Sequence, residues 1–217
     1  MTRGTSFSVA RGPDDADAVP PVRYGAPDNE VPAVLAVEKV LGASDDLVIF
    51  LAGMRVYSNG LEFELEARLR PGARLGDRAG IWEVLTEYHS PGRPAGQRAL
   101  LGVQFADGRR GSNVEGVADG GVSLGSSRSG GGPRAAQATY FLSPLPPPGE
   151  LRIICALPGA GIDETVTVVD AEEILAAAAR VRELWPWEPE RHDLRRPSPP
   201  AFPDGSWFSS SAQPEVD

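Results

Sequence analysis

One cysteine, two histidines and one lysine in 217 residues exclude more chemistry than any motif in the chain suggests. With Cys155 alone, no intramolecular disulfide and no cysteine-rich metal site can form, and a reducing cytosol is the fitting compartment. Two histidines are too few for the histidine-rich metal chemistry of cupin-type β folds. His89 has Glu83 and Glu87 nearby, but a glutamate two residues before a helical histidine does not share its face. No cofactor and no metal is expected. Positive charge is also in deficit: the formal net charge is −9 and the pI about 4.8. That balance opposes binding to a phosphate backbone, so neither nucleic acid nor anionic membrane is an expected partner. Lys39 stands against twenty arginines, a bias of codon usage in a high-GC genome. The longest apolar run, Leu47 to Ala52, is far short of a membrane span. The stretch from Met1 to Ala18 has no apolar segment of signal-peptide type. A soluble, cytoplasmic protein is the expectation.

What is present divides into three parts. Residues 1–30 mix four prolines with acidic side chains and few large apolar ones, too little buried surface to offset the entropy of ordering. A disordered acidic N-terminal tail is expected there. Residues 186–217 hold seven prolines and read as a Pro-rich C-terminal tail, but one carrying Trp187, Phe202, Trp207 and Phe208. Between them, residues 31–185 have the size of one domain.

The centre of that domain is a hairpin. Leu61, Phe63, Leu65, Ala67 and Leu69 alternate with Glu62, Glu64, Glu66, Arg68 and Arg70, directly after Asn59-Gly60. Asn-Gly favours a type I′ turn, whose central residues need positive φ. A two-residue loop at Asn59-Gly60 pairs Val56 with Phe63, Met54 with Leu65, Ala52 with Ala67 and Phe50 with Leu69, and sets Arg55 against Glu64. In that register Leu47, Ile49 and Leu51 fall on the reverse face and need a cover, for which a helix is expected.

Two helices are available. Ile81, Val84, Leu85 and Tyr88 form a one-sided stripe in an insert bounded by Pro71-Gly72 and Pro91-Gly92. The second helix begins at Asp170, with Glu173 completing a capping box and Ile174, Ala178, Val181 and Trp185 on one face up to Pro186. Further strands are predicted within Val34 to Leu41, at Leu101 to Phe105 with a turn at Asp107-Gly108 and a return through Arg109 to Val114, around Tyr140 and Leu142, at Leu151 to Leu157, and at Glu164 to Val169. Gly116 to Gly132 is read as a long glycine-rich loop. The sum is a mainly β fold: an immunoglobulin-like antiparallel β-sandwich with a short helical insert and a C-terminal helix.

The stretches Arg55 to Phe63, Gly102 to Arg110, Pro144 to Gly149 and Gly161 to Thr165 resemble a family of uncharacterised proteins of high-GC actinobacteria. The likeness covers about residues 33 to 185. It implies a source, and it carries no activity, ligand or site residue.

Few motifs invite chemistry. Gly121-Val122-Ser123-Leu124-Gly125 matches the nucleophile elbow of serine hydrolases, but the elbow needs a helix after the serine, and Ser126 to Gly132 cannot open one. Cys155 among large aliphatics reads as a core residue with a raised thiol pKa. Gly116 to Gly132 lacks the helix and lysine of a phosphate loop. Glu62, Glu64 and Glu66 read as a solvated face. Trp187, Phe202, Trp207 and Phe208 are the candidate partner-binding residues, large aromatics on a stiff extended backbone. The expectation is a non-enzymatic protein-interaction or scaffold module that binds another protein through this tail or a sheet edge. The alternative is a small-ligand-binding protein or hydrolase with a site near residues 116–132.

Overall fold

The computed structural model describes residues 25–75, 81–85, 98–114 and 121–187. The chain divides after Trp187, and residues 188–217 lie outside those described. The fold is mainly antiparallel β: among the described residues 54% are strand and 11% helix, with a single α-helix. A six-stranded sheet contains β2 (Ala33–Leu35), β3 (Lys39–Ala43), β4 (Leu47–Tyr57), β5 (Gly60–Leu69), β8 (Ser123–Gly131) and β9 (Ala135–Ser143). Its order is β2-β4-β5-β9-β8, and β3 continues the β2 edge along the other half of β4. A four-stranded sheet has the order β11-β10-β6-β7, from β6 (Leu100–Gln104), β7 (Arg110–Ser112), β10 (Glu150–Leu157) and β11 (Ile162–Asp170). A two-residue pairing of β1 (Glu30–Val31) with β12 (Arg182–Glu183) joins the two ends of the domain.

The inward residues of both large sheets form one apolar cluster, including Leu51, Met54, Leu61, Leu65, Tyr140, Leu142, Leu151, Ile153 and Cys155. The sheets also meet along their margins. The Thr165 hydroxyl on β11 donates to the carbonyl of Leu41 on β3, and the Thr167 hydroxyl donates to that of Val40 at 3.4 Å. At the other margin, Gly111 on β7 lies against Val122, where a Cβ would come within 2.7 Å of the valine side chain.

The central hairpin forms with a different turn. Tyr57 pairs with Gly60 and Val56 with Leu61, so the loop is Ser58-Asn59; the expected pairings of Val56, Arg55 and Met54 move by two residues, while Phe50 meets Glu66 rather than Leu69 and Ala52 has no partner. A shift of two preserves the faces, and the Leu61 to Ala67 alternation is buried as its pattern requires. Gly60 does not take positive φ and no type I′ turn forms. The glycine serves close approach instead: a Cβ there would lie 2.3 Å from the Leu142 carbonyl oxygen and 2.8 Å from the Phe141 ring.

The reverse-face problem at Leu47, Ile49 and Leu51 is solved within the strand. The register slips between Leu51 and Gly53, leaving Ala52 as the extra residue of a β-bulge. One extra residue inverts side-chain parity. Leu47, Ile49 and Leu51 therefore face the same core as Met54 and Val56, and all five are buried. No helical cover is needed.

Helix α1 (Ala171–Ala178) starts where predicted, with the Asp170 carboxylate accepting from the Glu172 N–H at 2.9 Å. It is shorter than predicted. Ala171, Ile174 and Ala177 are its buried face, and by Arg182 the chain is extended. Beyond the helix, residues 182–185 are held by β1 and Asn29, whose carbonyl accepts from Leu184 N–H at 2.8 Å and whose side-chain amide donates to the Trp185 carbonyl at 2.8 Å. Trp185 is consequently exposed rather than closing a helix against the core. Of the insert, the described residues 81–85 form a 3-10 turn, Ile81–Val84, with Ile81, Val84 and Leu85 buried and the Tyr140 hydroxyl donating to Leu85 O at 2.9 Å; Tyr88 lies outside the described residues.

The glycine-rich stretch is the largest departure. Residues 123 to 131 are strand β8, paired with β9 from Ser123↔Ser143 to Gly131↔Ala136, while 115–120 lie outside the described residues. An edge strand is held by its backbone ladder to one neighbour, and this one buries only Leu124. Its composition reads as a loop because apolar patterning is not what fixes it.

Candidate functional site

The outer face of the six-stranded sheet carries a row of registered residues: Arg55 on β4, Glu62 on β5, Phe141 on β9 and Gly125 on β8. Alternation along each strand places them together on one face. Glu62 is only 4% exposed, which corrects its reading as a solvated carboxylate and moves the Arg55 partner from Glu64 to Glu62. Its Oε2 accepts from Arg55 Nε at 2.7 Å and from the Tyr57 hydroxyl at 3.1 Å. Hydrogen bonding to Glu62 raises the Arg55 pKa above its usual value. Burial, followed by the Glu62 charge, raises that of the Tyr57 phenol. The Tyr57 and Phe141 rings lie 6.3 Å apart at a tilt of 58°.

Two hollows adjoin along β8. The larger, about 550 Å³, is lined by Gly25, Ala26, Glu62, Phe141 and residues 123 to 128. The smaller, about 330 Å³, is lined by Arg55, Glu64, Arg128, Ser129, Gly130, Gln137, Ala138 and Thr139. Arg128 borders both. They exist because β8 is poor in side chains: a Cβ at Gly125 or Gly130 would meet nothing within 4 Å. Together they make a trough from Ser123 to Gly130, which at ~3.3 Å per residue is about 25 Å long.

The elbow serine does not sit in an elbow. Ser123 opens β8, its hydroxyl donating to Ser143 O at 3.5 Å, and strand rather than helix follows. Cys155 is fully buried, and burial pushes its thiol up to about 11. Among the described residues no group of three or more His, Cys, Asp or Glu side chains is placed to hold a metal, and no helix is long and apolar enough to cross a membrane. Trp187 is half-buried at the end of the described chain. Phe202, Trp207 and Phe208 lie outside the described residues, as do His89 and His192.

Sequence reasoning missed Tyr57, Phe141 and the burial of Glu62. The available signal was the aromatic pair flanking a charged position on one face. Using it required the Ser58-Asn59 turn, because only that register aligns Glu62 with Arg55. Compared with protein-family models, curated proteins and solved structures, the chain matches none.

Proposed function

We propose that this chain is a non-enzymatic protein-interaction module that holds an extended segment of a partner in the trough along β8. One observation carries the reading: an edge strand whose outward side chains, Arg128 apart, are glycine and serine leaves a channel the length of a short peptide beside a buried polar cluster. Extended peptides suit such a place because, among the described residues, β8 pairs with β9 alone and so offers both a surface and an edge for main-chain pairing. In architecture, two antiparallel sheets sharing one core favour a sandwich of immunoglobulin-like character. A cytoplasmic location and the actinobacterial resemblance belong to the same proposal, supported by composition and by the four segments named above. Trp187, Phe202, Trp207 and Phe208 offer a second contact to the same partner or to another.

The test fills the trough without touching the core. Gly130→Trp projects into open space, so its thermal midpoint should match that of the parent chain. Affinity capture from native lysate, read by mass spectrometry, should retain a stoichiometric partner on the parent chain and lose it on Gly130→Trp. A partner retained by that variant but lost on truncation after Pro186 moves the interface to the aromatic tail. A partner retained by both overturns the trough and tail readings together.

A further inference from the structure

Glu62 has one oxygen to spare. Both of its hydrogen bonds, from Arg55 Nε and Tyr57 OH, reach Oε2, and Oε1 accepts none among the described residues. Fully buried side-chain atoms left without a partner do not include Oε1, so it is the part of Glu62 open to the hollow, where an incoming donor can reach a carboxylate otherwise buried. Glu62 lines the larger hollow, and Phe141, the residue beside it in register, lines the same hollow. Gly125, next in that row, puts no side chain over the ring.

We infer that the Glu62 end of the trough is a pocket for a basic side chain, lysine or arginine, of the bound segment. Its ammonium or guanidinium group donates to Glu62 Oε1, and its aliphatic stem lies against Phe141. A carboxylate beside an aromatic ring meets both demands of such a side chain, an anionic acceptor for the head and an apolar surface for the stem. Arg55 and Arg128 are the cations near this end. Against them stand Glu62, Glu64 in the next row of β5, and a chain carrying a net charge of −9. A volume of about 550 Å³ accommodates one long side chain and adjoining backbone.

The inference rests on the trough being the binding face, and the experiment separates the two. N-acetyl-arginine amide and N-acetyl-lysine amide are titrated into the full chain, with N-acetyl-norleucine amide and N-acetyl-glutamate amide as controls, followed by backbone amide NMR. Saturable shifts at Gly125 and Phe141 are expected with the two basic compounds and not with the controls. Binding should weaken roughly tenfold in Glu62→Gln, which removes the anionic acceptor at constant shape. It should disappear in Gly125→Trp, which fills the space over Phe141 and serves alone if the Gln variant does not fold. No saturable shift with either basic compound, equal binding by the norleucine control, or full binding by a folded Glu62→Gln would each overturn the inference. Should that happen while Gly130→Trp still loses its partner, the trough stands and only the basic pocket falls.

Discussion

Raising the pH above 9 should destabilise this fold through one thiol. Cys155 is fully buried on β10, and burial lifts its pKa from an ordinary 9.0 to about 11. Below pH 9 the thiol is protonated in both folded and unfolded chains, and the preference of the fold for the neutral form is fully present. As pH rises past 9 the unfolded thiol ionises first, so the unfolded state binds fewer protons and stability falls until the folded pKa is passed. Applying the linkage relation between those two values gives a loss of about 2 kcal/mol at pH 10.5. With a urea dependence of roughly 2 kcal/mol/M for a domain of this size, the midpoint should drop by about 1 M. The assay is urea unfolding at pH 7.5 and 10.5, with reductant, on the parent chain and Cys155→Ala. Other groups titrate in both proteins, so the difference between the two pH-induced drops isolates the thiol. Equal drops would refute the reasoning and show that Cys155 is reached by water in the folded state.

Three further outcomes follow from the geometry. Gly60→Ala should cost about 3 kcal/mol or more in thermal or urea unfolding, because its Cβ would meet the Leu142 carbonyl at 2.3 Å, while Gly125→Ala, with nothing within 4 Å, should stay within ~0.5 kcal/mol. Asn29→Ala should destabilise by about 1–3 kcal/mol, since the buried amide that donates to Trp185 O is lost, and amide exchange should show the 182–185 segment opening first. Asp170→Ala removes the cap of α1 and should cost about 1 kcal/mol, visible as a lowered urea midpoint with little change in its slope.

The sequence pattern made the strands legible where side chains alternate against a core. β4 runs Leu47–Tyr57 as expected, β6 and β7 flank a Gly108 at φ 88°, and β10 and β11 pair as adjacent strands. It failed where the information lies elsewhere. Ala52 looks like any alternating residue, yet as the bulge it inverts half of β4, and no residue type signals that. Strand β8 has almost no apolar residue because it buries almost nothing. The extended course after α1 is fixed by Asn29, 155 and 156 positions before its partners Leu184 and Trp185, a tertiary pairing that local propensity does not contain. The same cause hid the site. Glu62 alternates like its neighbours Glu64 and Glu66, and what distinguishes it is the pairing with Arg55 and Phe141 from two other strands.

The bareness of β8 has an evolutionary meaning. Residues that shape a binding surface are often also residues that hold a fold together, so changing a preference risks the scaffold. Here Gly125 and Gly130 face open space and contribute nothing to the core, which lies on the opposite side of the sheet. A descendant lineage can introduce alanine, leucine or glutamate at either position and acquire a new preference while Leu61, Leu65 and Leu142 remain as they are. Divergence among relatives of this chain should therefore concentrate at 125 and 130 before it reaches position 60, where the Leu142 carbonyl bars a side chain, or 111, where the Val122 side chain fills the space.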